Sequence, residues 1–400
     1  MKIIKITLIT VVIILLILGI RFYMQNLRGI WPIIETPSVA ITKLNDPIVN
    51  KNLNLNLPDG FTISILDKDI PGARVMVFDK LGNIWVSQTG QGKISKIILN
   101  NGEVQSQEVI WSGLKNPHGL ALDPEDPNIL YIAEETKISK VSIYPTIGKF
   151  EKIIDLPKGG RHFTRTLGFG PDKRLYVSIG STCDTCNEPD PRNASIYSLN
   201  KDGSDFKQLA KGLRNSVFFI WDKNDGKIWA TEMGHDYLGD NTPPDEINTF
   251  DIKSPIVLNY GWPVCYGNNI HDTNFDKNTY IRNPCMMPFE IPSYFDIQAH
   301  SAPLGLDFVP DNYSSWPKEY QHSLIVAFHG SWNRTVPTGY KVVRFILDDK
   351  EKILKQEDFI TGWLTPNGAI GRPVDIVFNN NALYITDDKA GTIYKVVYTK

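Results

Sequence analysis

After residue 70 one pattern of apolar and polar positions recurs along the chain. It is a short apolar run, a polar turn, and a second apolar run of the Leu-Tyr-Val or Ile-Trp-Val type. The six copies are GARVMVFDKLGNIWVS (Gly72–Ser87), PHGLALDPEDPNILYIA (Pro117–Ala133), TRTLGFGPDKRLYVS (Thr164–Ser178), LRNSVFFIWDKNDGKIWAT (Leu213–Thr231), HSAPLGLDFVPD (His300–Asp311) and GRPVDIVFNNNALYIT (Gly371–Thr386). Asp, Asn, Gly and Pro between two β-prone runs mark a hairpin, because they accept turn angles that the flanking residues resist. Several copies continue into a third run: KISKIIL (Lys93–Leu99), KISKVSI (Lys137–Ile143), YKVVRFI (Tyr340–Ile346) and TIYKVVY (Thr392–Tyr398). Hairpins extended by outer strands, at a period of roughly 40–60 residues, predict blades of a β-propeller rather than a sandwich. The expected fold is therefore all-β, a six-bladed β-propeller over residues 57–400. GFTISIL (Gly60–Leu66) precedes the first copy and is expected to close the ring by pairing into the last blade. The fifth copy is the loosest, since PDNYSSWPKEYQHS (Pro310–Ser323) interrupts its hairpin. No stretch after residue 30 carries a helical stripe.

The N-terminus has a different pattern. Lys2 and Lys5 precede an unbroken apolar run from Ile6 to Ile20, closed by Arg21. A basic flank before a hydrophobic stretch is an export signal. Residues 1–24 read as a signal peptide or membrane anchor, with the uncleaved anchor favoured because no small-x-small cleavage site follows. Residues 25–56, including NKNLNLNLPDG (Asn50–Gly60), read as a tether. The body is expected outside the cytoplasm, with its N-terminus in the membrane. There the four cysteines favour the oxidised state. Cys183 with Cys186 would make a local bridge that stiffens one loop, and Cys265 with Cys285 would close a longer one. Three pairings are possible, and a zinc or thioredoxin-like role for CDTC is the rival. A net charge of −2 excludes a nucleic-acid partner, because no basic stripe displaces counterions.

Charge changes the picture at one repeated place. Four to eight residues ahead of each copy's pivot stand Arg74, His118, His162 with Arg165, Arg214, His300 and Arg372. Cations returned to an equivalent position point to one shared site that takes an anion. His162 is a candidate general base, since a neutral imidazole accepts a proton from an alcohol; the alternative is a hydrogen-bonded loop histidine. The arginines have an alternative as braces on backbone carbonyls, and Arg165 as an orienting residue for His162. TEMGHDYLGDNTPPDEIN (Thr231–Asn248) crowds Glu232, Asp236, Asp240, Asp245 and Glu246 around Gly234, a set of hard oxygen ligands suited to calcium. Trp262 and Trp332, in Gly-rich loops, are candidate walls for a planar ligand or sugar, with Arg334 as a further cation. No EF-hand, HExxH, P-loop, GxGxxG or GxSxG motif occurs.

The strings RTLGFGPDKRLYVSIGS, GLRN, LGDNTPPDEIN, NYGWP, HGSWNR and GRPVDI resemble the glucose/sorbosone dehydrogenase family, over about Gly60 to Tyr398. The last of these look more like its sorbosone-dehydrogenase-like branch. The resemblance implies a six-bladed propeller using pyrroloquinoline quinone (PQQ) and calcium. It places His162 on the catalytic base, Arg214 and Asn215 beside the quinone and substrate, and Arg372 on a cofactor carboxylate. Gly234 and His235 fall where backbone carbonyls bind calcium, and Glu246 near an acidic position; His300, Arg165 and Arg334 are further cofactor candidates. Val217 departs from the glutamine of the glucose enzyme, and His235 from its proline. The cofactor-contacting lysine has no clear counterpart, with Arg334 or His329 as substitutes. The implied activity is oxidation of an aldose or sorbosone-like aldehyde, with electrons leaving to a periplasmic or membrane acceptor. The rival expectations are a calcium-dependent propeller lactonase and a non-catalytic propeller that binds a sugar or peptide.

Overall fold

The computed structural model describes residues 2–22 and 53–399. One helix, Lys2–Phe22, carries the N-terminal apolar run. Among the described residues no helix is long and apolar enough to cross a membrane, so the anchor expected over 1–24 has no structural support. Most of the tether expected over 25–56 lies outside the described residues. Its last part is not a tether: Leu53, Leu55 and Leu57 pack against an apolar cluster of the last two blades, and Asn56 exchanges backbone hydrogen bonds with Thr361 (2.8 and 3.0 Å). The alternation in NLNLNL is the sequence signal of that docked edge.

The remaining chain forms six antiparallel blades. Blade 1 uses Ala73–Phe78, Ile84–Gln88, Lys93–Asn100 and Glu103–Trp111. Blades 2 to 5 start from Leu120–Leu122, Leu167–Phe169, Phe219–Trp221 and Pro303–Phe308, and each runs outward through three later strands. Blade 3 gains a parallel edge from Leu258–Asn259. Blade 6 takes Pro373–Asn379, Ala382–Asp387 and Thr392–Tyr398, and its outermost strand is Phe61–Asp67 from the front of the chain. The expected ring closure is thus present, with Phe61 opposite Tyr398. The fifth hairpin is the interrupted one, as expected, its strands separated by residues 309–323.

The repeat also explains how the blades adhere. Val75, Leu120, Phe218, Leu304 and Val374 occupy the innermost strands or their leads, and they join one buried cluster across blades 1, 2, 4, 5 and 6. Burying apolar area at about 25 cal/mol per Å2 makes this the main cohesive force. The inner strands approach so closely that a Cβ on Gly305 would meet Val374 O at 2.5 Å. A Cβ on Gly119 would lie 2.5 Å from Arg165 O. Hydroxyls at one repeated position then stitch neighbours: Ser178 to Val217 O, Thr231 to Leu304 O and Thr386 to Arg74 O. Buried aspartates do the same by accepting from the next blade's backbone, Asp307 from Phe378 N and Asp375 from Met76 N. Both cysteine pairs are bridged, Cys183–Cys186 and Cys265–Cys285.

Candidate active site

The inner strands bring their leading residues to one end of the ring. There a cavity of about 170 Å3 is lined by Arg74, Arg161, His162, Thr164, Asn215, Met233 and His329, with apolar Phe163, Val217 and Leu304. No carboxylate is among its lining residues. A larger groove, about 600 Å3, lies between the turns of blades 1 and 6, but Lys395 is its only charged side chain.

His162 is set by a short relay. The Ser181 hydroxyl donates to Cys183 O (2.7 Å), so its oxygen must accept from His162 Nδ1 (2.8 Å). The proton therefore sits on Nδ1 and the Nε2 lone pair is free, the tautomer a base requires. Burial first, then the Arg214 and Arg161 guanidinium groups, hold the imidazole far below its ordinary pKa. It is neutral at every ordinary pH. The Cys183–Cys186 bridge stiffens the loop that supplies the Cys183 carbonyl.

The cations divide into two groups. Arg74 and Arg161 face the cavity: Arg74 Nη1 pairs with Asp388 (2.8 Å), while its buried Nε has no partner. Arg161 pairs with Asp236 (2.6 Å) and lies 5.4 Å above the Trp332 ring. Asp388 is shared with His329 Nε2 (2.9 Å); burial would raise its carboxyl, but His329 and Arg74 outweigh this and hold it well below the usual range. A buried guanidinium donor without a partner is a vacancy for an acceptor.

The other expected cofactor cations do not line this cavity. Arg165 is fully buried, outside the cavity lining, and donates to His162 O, Thr164 O and Pro157 O, while its Nε has no partner. Arg372 donates to His329 O and Gly330 O and braces the loop that carries His329. Arg334 is spent on Asp240 O, Ala299 O and Asn241. The His300 Nε2 bonds Gly239 O. Arg214 is buried, with its donors on Asp184, Met233 O and Asp236. For Arg214, Arg334 and Arg372, carbonyls or carboxylates of the fold accept from the guanidinium group; Arg165 alone of these four keeps an idle Nε.

Behind Met233 lies a second, smaller space of opposite sign. Arg214, Glu232, Met233, Gly234, His235, Glu246, Trp262 and Asp272 line it. Gly234 N donates to Asp245 (3.0 Å), and His235 is held by Thr185 (2.5 Å) and Asp272 (2.9 Å). Glu246 is already satisfied by Gly267 N (2.6 Å) and Asn248 (2.9 Å). Among the lining groups Glu232 Oε2 is the orphan; both oxygens of Glu290, which lies outside the lining beside Gly261 and feels the charge of Glu246, are orphaned as well. Burial pushes Glu246 and Asp245 up to about 7 and Glu290 to about 8, and raises Glu232 well above its ordinary value. Unpartnered buried carboxylate oxygens are a donor set for a hard cation.

Sequence reasoning missed Arg161 and Glu290. Arg161 stands next to His162, within the same lead to the third copy, so its signal was available. Glu290 reaches its neighbours only through long-range folding, and nothing local marks it.

The sequence matches the TrAA12-like family over residues 55–399. The chain belongs to that family. It is 33% identical to an uncharacterized protein of Borreliella burgdorferi over 366 residues, covering 86% of this chain and 91% of that one. It is 25% identical to the PQQ-dependent pyranose dehydrogenase of Coprinopsis cinerea over 335 residues, 72% of this chain but 44% of the fungal protein, so it spans less than half of that relative. Its fold matches the calcium structure of a Trichoderma reesei carbohydrate-active enzyme of family AA12, with a TM-score of 0.76 at 20% identity, over 88% of this chain and 99% of that one. The resemblance to PQQ-dependent sugar dehydrogenases is thus borne out at family level, while the sorbosone branch gains no support.

Proposed function

We propose that this chain is an exported, PQQ-dependent sugar dehydrogenase that oxidises an aldose or related sugar aldehyde at its anomeric or carbonyl carbon. The observation that carries the reading is the relay Cys183 O–Ser181–His162, which leaves a neutral imidazole with a free Nε2 in a cavity also lined by Arg74, whose Nε is unpartnered. Bound in the positive cavity, the quinone would supply a two-electron acceptor, and a cation in the acidic space would polarise its oxygens. His162 Nε2 takes the proton of the reacting hydroxyl as hydride departs from the same carbon. Arg74 and Arg161 hold carboxylates, and Asn215 offers a polar side chain to the substrate. Glu232, Glu290 and the backbone at Gly234 and His235 hold calcium; Glu246 keeps Glu232's strand in place.

The low basicity of His162 in the empty cavity fits this order of events. Carboxylates beside Arg161 and Arg214 offset the positive field that depresses the imidazole, so ligand binding strengthens the base. Export rests on the basic-then-apolar N-terminus and the two disulfides. Electrons leave to an acceptor outside the cytoplasm.

The lactonase reading needs carboxylates and Asn around a metal in the hub, and the hub cavity has arginines and histidines instead. The test is reconstitution: add PQQ and Ca2+ to purified protein and follow dye reduction over a panel of sugars. The expected result is a cofactor absorbance change followed by sugar-dependent turnover. No absorbance change on adding the cofactor overturns the proposal. Retained turnover in His162→Ala overturns the assignment of the base alone.

A further inference from the structure

A second cluster of ionisable groups lies at the far end of blades 4 and 5. Asp222 directly follows the first strand of blade 4, whereas Asn215 at the cavity leads into that strand. The strand Phe219–Trp221 separates the two residues, which lie at its opposite ends. His322 precedes the second strand of blade 5, and Glu351 sits in the turn between its third and fourth strands. The three side chains come from separate parts of the sequence and meet with one ligand atom each inside 4.8 Å.

The geometry is unbalanced as it stands. His322 Nε2 lies 2.7 Å from Glu351 Oε2 and 3.9 Å from Asp222 Oδ1. Asn224 Nδ2 also approaches the same Nε2 at 2.9 Å. One imidazole nitrogen thus faces an acceptor and a donor together, and its single lone pair or proton satisfies only one of them. Asp222 is 1% exposed, and its Oδ2 has no partner among the described residues. The imidazole is fixed flat on Phe308, with ring centroids 5.1 Å apart and planes 7° apart. A rigid imidazole between two carboxylates, one buried with an idle oxygen, is an arrangement that a cation resolves.

We propose that Asp222, His322 and Glu351 form a binding site for a divalent transition-metal ion, distinct from the calcium pocket. Ligand atoms each about 2.1 Å from a tetrahedral metal lie roughly 3.4 Å apart, between the 2.7 and 3.9 Å seen here. One nitrogen and two carboxylates suit Zn2+, whereas Ca2+ wants six to eight oxygens. Three protein ligands leave a fourth position, which water or the Asn224 amide oxygen fills once that amide turns over. His322 is partly exposed and gives the ion its entry route. Bound there, the ion clamps blade 4 to blade 5 where the fifth hairpin is interrupted.

The test is calorimetric titration of the whole protein with ZnCl2 in saturating Ca2+, which keeps the acidic pocket occupied. The expected result is one equivalent of Zn2+, with affinity at least tenfold weaker in His322→Gln and in Glu351→Gln. Co2+ in place of Zn2+ gives a visible d–d absorption in the wild type that both variants lose. Glu351→Gln keeps the test decisive if the histidine variant fails to fold. Absence of Zn2+ binding by the wild type, or equal affinity in the variants, overturns the proposal.

Discussion

The two spaces that share Met233 are built from the same loops and carry opposite charge. The hub cavity keeps a guanidinium nitrogen without an acceptor; the space behind it keeps a carboxylate oxygen of Glu232 without a donor, with the unpartnered Glu290 carboxyl just outside its lining. Elsewhere in the ring, Arg372 donates to neighbouring carbonyls, as does Arg165, which keeps an idle Nε away from the cavity. The difference teaches that the position of a charge in the repeat does not decide its role. What decides it is whether the group that the fold leaves unpartnered opens on a cavity.

The most damaging break in this arrangement is at the base. His162→Gln is expected to lower turnover by about 10^2–10^4-fold while PQQ affinity stays within a few-fold, measured by single-turnover reduction and cofactor titration. In the cofactor-free protein the His162 ring should show no titration between pH 5 and 8 by NMR, because it is already neutral there.

Next comes the positive side alone. Arg74→Ala removes a charge-assisted donor, each of which contributes about 1.5–3 kcal/mol, so PQQ binding should weaken roughly ten- to a hundredfold. Calcium affinity of the cofactor-free protein should not change, and if both fall together the two spaces are not separable.

The negative side is tested by Glu290→Gln. Its carboxyl titrates near 8 in the fold, against about 4.3 in an unfolded chain. The folded form therefore binds the extra proton between those values, and stability of the cation-free protein falls as pH rises through them. The variant should melt roughly 1–3 °C higher than wild type at pH 8.5 without calcium, show no gain at pH 4, and respond more weakly to added calcium. Equal melting at both pH values would disconnect Glu290 from the pocket.

The smallest effect concerns the acids that join blades. Asp307 and Asp375 are pushed to about 7 by burial, above an unfolded value of about 3.9. Their contribution is present at pH 4 and is lost as pH rises past 7. Asp307→Asn should flatten that slope in thermal melts without altering PQQ or calcium binding.

Much of the fold was legible because a propeller repeats its own instructions. The hairpin turns, the third runs and the closing strand Gly60–Leu66 are local signals, and six copies confirm one another. The docking of Leu53, Leu55 and Leu57 was readable as alternation and was read as a tether, because its partner at Thr361 is far away in sequence. At the site, His162 and the acid-rich segment after the fourth copy stood out by residue type. The fate of each arginine did not, since it depends on carbonyls such as His329 O and Gly330 O whose orientation only the folded loops set. Glu290 was invisible for the same reason.

The seam of the ring has its own consequence. Ser64 donates to Lys395 O across 331 positions of sequence, and the strand pair there is the last joint that a growing ring can make. Joining such distant segments costs loop entropy before any contact repays it, so sealing is expected to be slow and late. Once sealed, no blade can peel away without opening the whole circle. Those amide protons of Phe61–Asp67 that donate to Thr392–Tyr398 should then exchange with solvent as slowly as those of the innermost strands, although they lie on the rim.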